Sequence, residues 1–130
     1  MHPDLPGGLW SGRTVYYHTE WFTCAAAVYA LPEGQAGRIR AGGLATLTAE
    51  ASDQRYGPWQ PTPAFELESN DGIWRRNLGS GLSCLTGSPD YHGVFSRLAY
   101  QPGAFFAVSD RQAVVIVAPT EGLVFYSGYE

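Results

Sequence analysis

Lysine is absent from the chain: all eight basic residues are arginine. They are scattered, apart from the short pairs Arg38/Arg40 and Arg75/Arg76. Nucleic-acid binding rests on a stripe of basic charge that neutralises phosphates. The scatter, together with a formal net charge of −4, argues against a nucleic-acid partner. Charged residues make up only 15% of the chain, against roughly 25% in ordinary globular domains. The surface must therefore draw its polarity from Ser, Thr, Gln, Gly and main chain. Asparagine occurs only at Asn70 and Asn77, while Ala, Gly and Pro are abundant. That is the bias of a GC-rich bacterial coding sequence; it reflects codon supply and bears on no function.

Long apolar runs are also missing. No stretch approaches the roughly 20 consecutive apolar residues that a membrane helix needs, so no membrane insertion is expected. The first eight residues, Met1 to Gly8, lack the basic and apolar regions of a signal peptide. With Met1 as the natural start, the reading is a cytoplasmic protein; an export signal ahead of it would make the protein periplasmic. Cysteine is scarce: Cys24 and Cys84 stand alone, in no metal-type spacing. The expectation is two reduced, buried thiols, with a single disulfide as the alternative in an oxidising compartment.

Chemical signatures are lacking as well. Gly42-Gly43 and Gly79-Ser80-Gly81 have no following Lys-Ser/Thr, so neither is a phosphate-binding loop. No Gly-x-Ser-x-Gly nucleophile elbow occurs. No cofactor is expected, and no metal site.

What is present suits one folded domain over residues 1–130, with 1–11 an irregular arm. Hydrophobic residues make up 45%, enough for a core in a chain of 130 residues. Residues 13–18, Arg-Thr-Val-Tyr-Tyr-His, are rich in strand formers. Thr19 is placed to cap a helix from Glu20 to Leu31, since Cys24 to Leu31 is alanine-rich without alternation. Pro32 and Gly34 stop that segment. Residues 37–43 are broken by glycine, and 44–51 read as a short helix. Residues 52–63 form a loop, because Pro58, Pro61 and Pro63 oppose regular structure. A strand over 64–68, a short helix from Asn70 or Asp71 to Leu78, and a helix over 90–98 complete the middle.

The C-terminal third carries the strongest pattern. Residues 104–108, 113–117 and 123–127 are β-branched or aromatic runs separated by hairpin-length turns. They predict a three-stranded antiparallel meander whose middle strand is apolar on both faces, so both faces should be covered. The fold class is therefore α+β: short helices packed on a small antiparallel sheet ending in that meander.

Functional candidates fall in two groups. His18 and Glu20 on a continuing strand, or Asp90 with His92, could form acid–base pairs, and Cys84 with either histidine a nucleophilic pair. They define a small hydrolase-like enzyme as one alternative. Set against this are three histidines in all and the absence of any third partner for either pair. The second group is the loop Arg55-Tyr56-Gly57-Pro58-Trp59-Gln60-Pro61. Tyr, Trp and Arg are the residues enriched in binding hot spots, and proline lowers the entropy lost on binding. Trp59 either anchors a partner on the surface or folds across the domain as a lid. The preferred reading is a non-enzymatic binding or accessory protein using Arg55, Tyr56 and Trp59. A protein partner or a homo-oligomer fits that reading, and a structural oligomer subunit is the remaining alternative.

Overall fold

A computed structural model describes residues 7–9, 14–20, 24–62, 93–94, 97–98, 101–109 and 113–128. Among the described residues six strands form one sheet: β1 (Thr14–Glu20), β2 (Cys24–Ala30), β3 (Gln60–Pro61), β4 (Phe105–Val108), β5 (Val114–Ala118) and β6 (Leu123–Gly128). A helical segment, α1 (Glu33–Ala51), lies between β2 and β3. The strand order is β1-β2-β6-β5-β4-β3, and every neighbouring pair is antiparallel.

The meander β4-β5-β6 forms as its sequence predicts. Short connections join β-branched runs, and Gly122 takes the positive φ that the last turn requires. In register, Phe105 and Ala107 lie opposite Val117 and Val115, which lie opposite Val124 and Tyr126. Those in turn face Tyr29 and Ala27 of β2. All eight belong to one apolar layer, completed by Ala36, Ile39, Leu47 and Ala51 of α1 together with Leu9 and Trp59. The alternate residues Val28, Phe106, Val114, Ile116 and Phe125 are buried too. Both faces of the sheet's centre are therefore covered. Leu98, a buried helical residue, shares a small cavity with Ala118 of β5.

The expected helix from Glu20 to Leu31 is not formed. Thr19 continues β1 and lies opposite Ala25, so it caps no helix. Cys24–Ala30 is an inner strand with β1 on one side and β6 on the other. Alanine favours helix in isolation, but here two hydrogen-bonded neighbours and a buried face outweigh a preference worth only tenths of a kcal/mol per residue. Pro32 ends the strand and begins α1: its carbonyl accepts the first helical hydrogen bond, from Ala36 N–H at 2.9 Å. The breakpoint foreseen at Pro32 is real, with the elements on either side exchanged.

Segment α1 is two helices folded back on each other. Gln35 and Glu50 would stand roughly 22 Å apart on a straight helix. Instead the Gln35 side chain donates to Glu50 Oε1 at 3.3 Å, and Arg38 grips the same carboxylate through Nε at 3.0 Å and Nη2 at 2.9 Å. The reversal is at Gly43, whose φ of 62° and ψ of −141° are non-helical. Thus the glycine-broken stretch 37–43 is a helical arm and its turn, and 44–51 is the expected short helix. The expected strand over 64–68 and helix from Asn70 or Asp71 to Leu78 lie outside the described residues. Of the expected helix 90–98, Gly93, Val94, Arg97 and Leu98 are described, and all four are helical.

Candidate functional site

The loop after α1 is held from several sides. Asp53 is its pivot: Oδ1 accepts Arg55 N–H at 2.9 Å, a turn closed by an aspartate side chain. Oδ2 accepts Gly7 N–H at 2.8 Å and Arg55 Nη2 at 2.8 Å. These contacts, led by the Arg55 hydrogen bonds, hold the Asp53 carboxyl well below the usual carboxylate range. Tyr56 N–H donates to Asp53 O, and Gly57 N–H reaches across to Val108 O at 2.8 Å. An isolated bridge pairs Tyr56 with Ser109. Farther on, Gln60 and Pro61 pair with Phe106 and Phe105. Of the loop expected over 52–63, residues 52–62 are described: after the turn at Asp53, the chain from Tyr56 runs along the β4 edge, with β3 as its short paired part.

Of the two placements open to Trp59, the lid is observed. The residue is 5% exposed, joins the apolar layer, and donates Nε1–H to Ala51 O at 3.2 Å. Tyr56 is half-buried against that layer, while Arg55 and Pro58 are exposed. Between this loop and the second arm of α1 runs a groove of about 370 Å³. Thr48 and Ser52 line its helix side, and Tyr56, Pro58 and Trp59 its loop side. Arg55, Tyr56 and Trp59 are thus adjacent in one built structure, with Trp59 as support beneath the groove rather than a projecting anchor.

Residues 7–9 of the arm are pinned to the same corner. Gly8 has a φ of 85°, and a Cβ there would come within 1.8 Å of the Glu50 carbonyl oxygen. Its own carbonyl accepts from Gln35 Nε2 at 2.9 Å, and Leu9 is fully buried. Gln35, 0% exposed, thus joins the arm to Glu50. The Arg38 hydrogen bonds, with help from Gln35, hold Glu50 below its ordinary range and raise Arg38 above its own. Asp53, Gln35 and Gly8 escaped the sequence reading. Only Asp53 left a local trace, an aspartate two residues before the arginine whose N–H it accepts.

Of the enzyme candidates, His18 and Glu20 fall among the described residues, and they lie on one face of the continuing strand β1. His18 and Glu20 occupy alternate register positions of β1, opposite Ala26 and Cys24. Asp90, His92 and Cys84 lie outside the described residues. Among the described residues, no three His, Cys, Asp or Glu side chains converge as a metal site, and no helix is long and apolar enough to cross a membrane. Comparison with protein-family models, with curated proteins and with solved structures finds no match for this chain.

Proposed function

We propose that this chain is a non-enzymatic protein-binding module whose contact surface is the groove beside Tyr56 and Pro58. What carries the reading is the fixation of the loop before any partner arrives. Asp53 ties it to the arm, Val108 O to the sheet and Trp59 to the core. A surface ordered in advance loses little entropy on association. It also presents Tyr56 and Pro58 on the groove, with the exposed Arg55 next to Tyr56 in the chain, tyrosine and arginine being hot-spot types. A partner would insert an apolar side chain between Tyr56 and the Thr48–Ser52 edge and set a polar group against Arg55. A binding groove also accounts for Trp59: a rigid floor keeps the aromatic rim from collapsing.

The test compares immobilised wild type with Tyr56→Ala and Pro58→Asp in host extract, by quantitative mass spectrometry. The second variant puts a charge on an exposed wall position and serves if the first unfolds. Each should deplete the same captured protein by about 30-fold, a hot-spot loss of about 2 kcal/mol. The purified captured protein should then bind the chain directly. Trp59→Ala should instead cost about 3–5 kcal/mol of folding stability, the scale of large aromatic truncations. Equal capture by wild type and both folded variants would end the groove reading. A concentration-dependent dimer abolished by Pro58→Asp would assign the surface to a second copy.

A further inference from the structure

A second concavity, of about 440 Å³, opens where the first arm of α1, the 101–104 loop and the β5–β6 turn meet. Its floor is apolar: Ile39 and Ala104 are buried and Phe105 half-buried. Its walls are stiff. Pro61, Pro102 and Pro119 line it, and proline fixes φ. Thr62 clips the 101–104 loop in place, donating its hydroxyl to Gln101 O at 2.7 Å and accepting Ala104 N–H at 3.1 Å. Gly103 and Gly43 also line the concavity, and a Cβ built on either meets no atom of the described residues within 4 Å. Among the described residues one charged side chain lines the cleft, that of Arg40.

Arg40 is aimed rather than loose. Its Nη1 donates to Pro119 O at 2.8 Å, bridging helix and turn, and its Nη2 meets Glu33. These use two of the five N–H donors of a guanidinium. The Glu33 side chain is 80% exposed, and ion pairs so exposed contribute little, so an incoming anion displaces it at small cost. A mostly apolar cleft of this size with a placed charged group has the anatomy of a small-molecule site.

We propose that this cleft binds a small organic carboxylate, with its ring or chain on Ile39 and Phe105 and its carboxylate on Arg40. This site is separate from the Tyr56 groove and does not depend on it. The probe is 2-naphthoate, titrated into isotopically labelled protein and followed by amide shifts. The neutral 2-naphthalenemethanol serves as control, and Arg40→Gln as the variant. Shifts should concentrate at residues 39–43 and 103–105. Replacing Arg40, or removing the probe's charge, should weaken binding about tenfold or more, the loss expected for a charge-assisted hydrogen bond. If Arg40→Gln fails to fold, the charged and neutral probes on wild type decide alone. Equal affinity for both probes, unchanged affinity in a folded Arg40→Gln, or shifts confined to the Tyr56 groove would overturn the proposal.

Discussion

Asp53 shows how one side chain can organise a corner of the molecule. It lies at the end of α1, accepts N–H groups from Gly7 and Arg55, and pairs with the Arg55 guanidinium. Every one of these partners favours the charged carboxylate, which is why its pKa falls. The consequence for stability has a definite sign. A depressed native pKa means the unfolded chain binds the proton more readily, so stability rises with pH across the interval between the two values. The Asp53 contribution is complete above the unfolded value of roughly 4 and is lost as pH falls toward the native one. Glu50, also depressed, acts in the same direction. Denaturant midpoints measured from pH 7 down to pH 2 should therefore fall steeply below about pH 4. Asp53→Asn should be less stable at pH 7 and show a shallower acid fall. An unchanged slope would mean that Asp53 is not held by these contacts.

At the scale of elements, the reversal inside α1 decides what the helical layer can cover. Two short arms folded at Gly43 place Ile39 and Leu47 in one apolar layer. They also bring Arg38 onto Glu50, fastening the arms side by side. Glycine at the turn is a conformational requirement. Among the described residues a methyl group at Gly43 clashes with nothing, but side-chain-bearing residues rarely adopt its backbone angles. Gly43→Ala should therefore destabilise the fold by about 1–3 kcal/mol through backbone strain alone. Chemical denaturation gives the value. A stabilised protein would indicate that the arms join into one continuous helix, where alanine is preferred.

At the scale of the whole molecule, the sheet is built around β5. Val114–Ala118 is buried along its full length and hydrogen-bonded to β4 and β6. Amide exchange should be slowest at Val115 to Val117, approaching the global unfolding limit. It should be fast by comparison at Ser52 to Gln54, which lie outside the ladder. Strand β2 ties the meander to the β1–β2 hairpin through its register with β6, from Ala25↔Gly128 to Ala30↔Leu123. The hairpin should therefore share the meander's protection through that seam and through the apolar layer that holds Ala27 and Tyr29. Exchange of β2 amides as fast as those of the loop would show the two parts to be uncoupled.

The amino-acid sequence by itself determined the α+β class, the meander, the strand from Thr14, the short helix at 44–51 and the aromatic loop. Each is legible because its cause is local: β-branched and aromatic runs, hairpin-length turns, proline that bars a helix. It also brought Arg55, Tyr56 and Trp59 together, since they are neighbours in the chain. Tertiary structure alone decided the rest. Cys24–Ala30 is alanine-rich and locally helical in preference, yet it lies between β1 and β6, where two ladders of hydrogen bonds outweigh that preference. Trp59 could stand on the surface or fold beneath the loop, and the carbonyl of Ala51 with the apolar layer chose burial. Arg40, Phe105 and Pro119 are dispersed over some eighty positions, so no local pattern announces their cleft. Burial and long-range pairing are properties of the folded chain, and they override local propensity where the two conflict.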